Sequence, residues 1–121
     1  IALQPKRAHA YNALGYSFAD RNINLDEART LIEKAHELAP EDAAILDSMG
    51  WIAFRQGRLE DAAAYLKRAF DKFQDGEIAA HLGEVLWALG RKDEARGIWQ
   101  TQLKAQPDSD ILKKTMARLE R

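Results

Sequence analysis

The sequence contains no cysteine, so it can form no disulfide framework, no thiolate zinc site and no thiol nucleophile. An excess of charge of one sign is also missing, because 18 Lys and Arg residues stand against 19 Asp and Glu residues. A protein that binds nucleic acid neutralises phosphates with a basic surface, and this balance argues against such a partner. No apolar run approaches the roughly 18 residues that a membrane-spanning helix needs, so we expect no direct membrane insertion by this segment.

Catalytic and metal-binding patterns are missing as well. His36-Glu37 begins as a zinc-protease motif does, but Pro40 stands where the second histidine would be. His9 and His81 have no His or Asp four residues further on, so we expect them to be solvated or to face a bound peptide. Nucleophile elbows and phosphate-binding glycine loops are absent, as is the alternation typical of strands. The sequence therefore predicts no enzyme activity, no metal and no cofactor.

A repeat of about 34 residues organises what is present. An apolar residue followed by glycine recurs three times, and an acidic pair followed by alanine recurs with it. The first series is Leu14-Gly15, Met49-Gly50 and Leu82-Gly83, and the second is Asp26-Glu27-Ala28, Glu60-Asp61-Ala62 and Asp93-Glu94-Ala95.

These residues resemble the tetratricopeptide repeat (TPR), a helix-turn-helix unit of about 34 residues. The resemblance implies an all-α fold, a right-handed superhelix of antiparallel helix pairs with about seven helices. We expect the glycine of each first helix to face the alanine of the second helix, while Ile32, Leu66 or Trp99 fills the remaining space. The predicted helices are at about 8–20, 25–38, 42–56, 59–72, 77–89, 92–105 and 109–120.

A single TPR domain is predicted over residues 1–121, as a fragment of a longer array. Leu3 and Pro5 stand where a preceding second helix would end, so we expect the first complete helix to lack a neighbour. Ala10 and Leu14 would then be poorly covered, which predicts weak self-association through this N-terminal face. The predicted segments are the tail of a preceding repeat at 1–7, repeats at 8–42, 43–75 and 76–109, and a capping helix at 110–121.

Three positions depart from the repeat pattern. Asn22-Ile23-Asn24 adds one residue to the inner turn of the first unit. Gln102 replaces a small alanine in the third unit, and Gln74 stands where a proline would end the second. We expect the insertion to be tolerated because it is confined to a turn.

The concave surface is the predicted binding site, since first helices line the groove of a TPR superhelix. Tyr16 and Trp51 occupy equivalent groove positions in adjacent units. With Phe54 and Trp87 they predict an apolar strip for a peptide or partner protein, although burial between helices is an alternative for these rings. Trp99, on a second helix, is predicted to be core. The predicted groove residues are Asn12, Tyr16, Asp47, Trp51, Phe54, Arg55, Glu84, Trp87, Lys114 and Arg118.

Residues 14–21 and 49–59 resemble the C-terminal repeats of bacterial TPR lipoproteins. Members of that family are tethered to the outer membrane and act as adaptors that bring substrates to a carboxyl-terminal processing protease. The resemblance implies a non-catalytic interaction module, an adaptor or scaffold in a periplasmic envelope complex, with the protease or its substrates as partners. A structural spacer within a longer array, an accessory domain of a larger enzyme and a cytoplasmic location are the alternatives.

Overall fold

The computed structural model describes residues 5–120, and side chains from Arg7 onward. Within these residues the chain forms seven α-helices and no strand, which confirms the all-α prediction. No helix in this range combines the length and the apolar character that crossing a membrane requires. The helices are α1 (Pro5–Asp20), α2 (Leu25–Leu38), α3 (Ala43–Arg55), α4 (Leu59–Lys72), α5 (Gly76–Ala88), α6 (Lys92–Ala105) and α7 (Asp110–Leu119).

Helix bounds agree with the sequence prediction for α2, α4 and α6 and differ by one to three residues elsewhere. The largest difference is at the start of α1, which begins at Pro5 rather than at residue 8. Proline is compatible with a first helical turn, because its missing N–H would have no intrahelical acceptor there. Residues 5–7 therefore belong to α1, whereas residues 1–4 of the expected tail lie outside the described residues.

The inner turns depend on residues that adopt the left-handed backbone conformation. Gly57 and Gly90 lie in the inner turns of the second and third units, and their φ values are 79° and 85°. In the first unit Asn22 and Asn24 take φ values of 56° and 47°. Asparagine tolerates this conformation better than most residues, so the extra residue of the first turn is accommodated without a glycine.

The helices form two layers. An inner layer contains α1, α3, α5 and α7, in which each helix packs on the next, and an outer layer contains α2, α4 and α6. Helices α3 and α5 each pack on their own outer partner and on the outer helix before it, whereas α1 packs on α2 and α7 on α6. This nearest-neighbour packing is that of a helical solenoid, and the core lies between the layers.

Close approach of the two layers depends on one glycine in each inner helix. A methyl group added to that glycine would lie 2.6 Å or less from a side-chain atom of the bulky residue opposite. Non-bonded carbon atoms prefer about 3.5–4.0 Å, so the prediction that small residues face large ones is confirmed. The pairs are Gly15 with Ile32 (2.6 Å), Gly50 with Leu66 (2.5 Å) and Gly83 with Trp99 (1.9 Å).

Two of the departures from the repeat pattern contact each other. The buried amide of Gln102 donates a hydrogen bond to the backbone oxygen of Gln74 at 3.2 Å and another to the side chain of Gln106 at 2.7 Å. Gln74 in turn donates its side-chain amide to the backbone oxygens of Phe70 and Asp71 near the end of α4. A polar contact therefore joins the second unit to the third where alanine and proline were expected.

Candidate partner-binding cleft

The inner layer forms an open cleft with a volume of about 730 Å³. Helices α1, α3, α5 and α7 all contribute side chains to it, so its shape depends on how successive units stack. Residues that line it are Tyr16, Asp20, Trp51, Arg55, Glu77, His81, Glu84, Ile111, Thr115 and Arg118.

A chain of hydrogen bonds crosses three inner helices at the base of the cleft. The Tyr16 hydroxyl donates to Oε2 of Glu77 at 3.0 Å, and its oxygen lies 3.3 Å from Nε2 of His81. Nδ1 of His81 lies 2.9 Å from Oδ1 of Asp47. Since the Tyr16 proton is directed to Glu77, a protonated imidazole completes the chain by donating to both Tyr16 and Asp47.

The electrostatic surroundings favour this protonated arrangement. Burial alone lowers the pKa of His81, but the Asp47 carboxylate and the nearby acidic residues outweigh burial and raise that pKa above its usual value. Burial, reinforced by Glu77 and other carboxylates, raises the pKa of the Tyr16 phenol well above its usual value. Both side chains are therefore held as hydrogen-bond donors.

His81 is a correction to the sequence analysis, which expected a solvated or peptide-facing imidazole. The residue is 4% exposed. Asp47 lies one repeat length earlier in the chain, and the packing of α3 on α5 brings its carboxylate to the ring. This buried partner offsets the cost of removing His81 from water.

Trp51 also differs from the expected exposed strip. Its side chain is 4% exposed, and its ring stacks on His81 with centroids 4.0 Å apart and on Phe54 at 5.0 Å. The Arg55 guanidinium lies 4.9 Å from the centroid of the same ring. Trp51 therefore forms a wall of the cleft from a packed position, whereas Tyr16 is half-buried at its edge.

The two arginines of the cleft already bind groups of this chain. Arg55 donates to the backbone oxygens of Ala19 at 3.0 Å and Asp20 at 2.9 Å, at the end of α1. Carbonyls in the last turn of a helix lack the usual acceptor role within it, although Ala19 also accepts the N–H of Asn22 in the following turn. Arg55 therefore joins α3 to the end of α1. Arg118 donates two hydrogen bonds to Glu84, at 3.2 and 2.5 Å, and joins α7 to α5.

Five predicted groove residues do not line the cleft. Asn12 is half-buried on α1, and its side-chain oxygen has no hydrogen-bond partner. Asp47 is buried behind His81, and Phe54 packs against the hydrophobic core. Trp87 packs on the core of the third unit with its ring 5.6 Å from that of Trp99, which is fully buried as predicted. Lys114 is exposed on α7.

Five lining residues were not among the predicted groove residues: Asp20, Glu77, His81, Ile111 and Thr115. Glu77 lies in the first turn of α5, so the expectation that first helices line the groove does include its position. On α7 the lining residues are at 111, 115 and 118, a helical stripe one position away from the predicted Lys114. The rotation of α7 is set by its packing on α5, which the sequence did not specify.

Three residues of this site could hold a metal ion. Asp47, Glu77 and His81 bring ligand-type atoms within 4.8 Å of one another. They are instead joined by hydrogen bonds, with the Tyr16 hydroxyl between His81 and Glu77. A protonated imidazole has no lone pair for a metal, so the raised pKa of His81 opposes coordination.

Comparison with known sequences identifies the class of protein that this solenoid represents. The sequence model of the tetratricopeptide repeat family matches residues 48–110, more than half of the chain. The chain belongs to this family. Domains of the family are typically non-catalytic scaffolds, and the fold is that of a protein–protein interaction module.

Two curated relatives match nearly the whole chain. TPR repeat-containing protein PA4667 of Pseudomonas aeruginosa is 59% identical over 119 residues, which are 98% of this chain and 20% of that protein. Anaphase-promoting complex subunit 7 of Arabidopsis thaliana is 23% identical over 117 residues, 97% of this chain and 21% of that protein. The chain therefore spans about a fifth of the length of the curated relatives it matches.

Solved structures share the fold. TTC0263, a thermophilic TPR protein of Thermus thermophilus, superimposes with a TM-score of 0.81 at 24% identity over 98% of this chain and 66% of its own. The N-terminal domain of stress-induced protein-1 (STI-1) from C. elegans has a TM-score of 0.67 at 16% identity, with 96% of both chains covered. Identities this low show the fold alone.

Proposed function

We propose that the cleft binds a peptide or a segment of a partner protein, and that the chain acts as an adaptor or scaffold in a bacterial envelope complex. The observation that carries the proposal is a concave site in which Tyr16 and Ile111 present apolar surface beside hydrogen-bonding groups. Concave sites that combine apolar walls with a few placed polar groups suit ligand binding. The first residues to contact a partner are those still open to solvent, with Ile111 36% exposed.

The partner class we propose is a carboxyl-terminal processing protease or its substrates, at the periplasmic face of the outer membrane. The sequence resemblance to bacterial TPR lipoproteins supports this choice, and the 59% identical relative is bacterial. Such an adaptor holds two proteins close together, so it raises their effective concentration without any chemistry of its own.

A structural spacer is the second candidate, and the burial of Trp51 favours it. If the inner face only joins successive units, its aromatics pack between helices, as Trp51 does against His81 and Phe54. A spacer needs no open cleft, however, and this inner face retains one of about 730 Å³.

Binding to a processing protease from the same cell tests the proposal, with isothermal titration calorimetry as the measurement. Ile111→Ala should weaken binding by about 1 kcal/mol or more, which is about fivefold or more in Kd, because it truncates an apolar contact in the cleft. Ile23→Ala is the matched control, since Ile23 is 37% exposed against 36% for Ile111 and lies in the turn between α1 and α2. Equal Kd values for the two variants would remove the cleft from the interface.

The N-terminal face supports a proposal of weak self-association. Leu14 is 50% exposed, whereas Met49 and Leu82, at the equivalent positions of the next two units, are 8% and 2% exposed. Ala10, beside it on α1, is also exposed. Sedimentation equilibrium should show a concentration-dependent increase in mass that Leu14→Ser abolishes; a strict monomer at all concentrations would end this proposal.

A further inference from the structure

A second cavity adjoins the cleft and continues its acidic surface. It has a volume of about 440 Å³ and lies between the start of α5 and the loop that precedes α7. Glu77 and Ile111 line both cavities, so a ligand seated in one is next to the other. Residues lining the second cavity are Asp75, Gly76, Glu77, Gln106, Pro107, Asp108, Ser109 and Ile111, among which no cation occurs.

Negative charge exceeds positive charge along the two cavities together. Their lining includes five carboxylates and two guanidinium groups, with His81 beneath them paired to the buried Asp47. The acidic residues are Asp20, Asp75, Glu77, Glu84 and Asp108, and the arginines are Arg55 and Arg118.

The cations are already engaged, whereas two of the carboxylates retain acceptor capacity. Arg118 is bound bidentately by Glu84, and Arg55 donates to the end of α1. The Asp20 carboxylate is 3.9 Å from Arg55 and 54% exposed, so solvent still reaches it. Glu77 is exposed and accepts a hydrogen bond from Tyr16, although an ionised carboxylate has about four acceptor sites.

We infer that the partner segment bound in the cleft is basic, with an arginine or lysine side chain seated against Glu77. The apolar stem of that side chain would pack on Tyr16 and Ile111, while its charged end meets Glu77 with Asp20 nearby. This inference rests on the proposed function and specifies which chemistry the partner must offer. An acidic segment would instead face five carboxylates with both arginines occupied.

The test uses a random peptide library selected against the whole chain, followed by synthesis of the enriched peptides. Any lysine of a peptide is first changed to arginine, and each arginine is then replaced by citrulline, which keeps the shape of arginine without its charge. We expect enrichment of Arg or Lys, and a Kd at least about tenfold weaker for the citrulline peptide. In the Glu77→Gln protein the difference in Kd between the arginine and citrulline peptides should shrink to about twofold or less. The reason is that the protein substitution and the peptide substitution remove the same contact.

Matched controls separate local contact from general charge. Glu37→Gln removes the same charge from an exposed position on α2, and it should leave the discrimination against citrulline intact. One outcome would overturn the inference and leave the proposed function standing. In that outcome the selected peptides bind at the cleft, because Ile111→Ala weakens their binding, but they carry no basic residue or bind equally well as citrulline forms. Selected peptides that are insensitive to Ile111→Ala would overturn both.

Discussion

Gly83 provides a stringent test of how the layers pack. A methyl group at this position would lie 1.9 Å from Nε1, 2.3 Å from Cε2 and 2.7 Å from Cδ1 of Trp99. The indole is fully buried and already packed against Trp87, so relieving the overlap requires the ring or the whole of α6 to move by roughly 1 Å or more to regain ordinary contact distances. Gly83→Ala should therefore destabilise the fold, even though alanine is the better helix former.

The expected magnitude follows from two opposing terms. Overpacking a buried contact costs about 1–3 kcal/mol, and complete loss of the Trp99 packing would cost about 3–5 kcal/mol. Replacing glycine by alanine inside a helix returns about 0.5–1 kcal/mol. Because the overlap is with a fully buried indole, we place the overpacking cost at the top of its range and expect a net loss of about 2 kcal/mol, which lowers Tm by roughly 8 °C in a domain of this size.

Gly97→Ala is the matched control on the opposite layer. Gly97 is an exposed residue inside α6, and an added methyl group would meet no atom within 4 Å. The same substitution should therefore stabilise the protein by about 0.5–1 kcal/mol. Urea denaturation followed by circular dichroism measures both variants. If Gly83→Ala proved as stable as Gly97→Ala, the close contact between Gly83 and Trp99 would not be a requirement of the fold.

Three further predictions concern packing, capping and pH. Ala62→Leu should cost about 1–3 kcal/mol in urea denaturation, because Ala62 is fully buried where the α4 backbone lies close to Gly50 of α3, whereas Ala64→Leu at an exposed site of the same helix should cost little. Ser109→Ala should cost about 1 kcal/mol and speed amide exchange in α7, because the Ser109 hydroxyl accepts the Leu112 N–H in the first turn of that helix; unchanged exchange would contradict the cap. Because the folded-state pKa of His81 is raised, its contribution to the free energy of unfolding should be complete below about pH 6.5 and lost as pH rises through the folded pKa. This dependence should be absent in His81→Gln, and an identical pH profile would contradict the assigned hydrogen bonds.

The sequence by itself determined the repeat and the main features of its helix pairs. A small residue such as Gly83 and a large one such as Trp99 recur in each unit at a fixed spacing. This local pattern is enough to predict which helix faces meet. Turn glycines such as Gly57 adopt the left-handed conformation because they have no side chain, and this preference is independent of tertiary contacts. The ends of helices could therefore be predicted to within a few residues.

Tertiary structure decided which side chains meet in the cleft. Tyr16 and Glu77 are 61 residues apart, and their hydrogen bond depends on the rotation of α1 relative to α5, which no local pattern encodes. The burial of His81 was missed for the same reason, since only the packing of α3 on α5 supplies Asp47 as its partner. Helix formation depends on near neighbours along the chain, whereas a site shared by three repeats depends on how the angles between successive units add up.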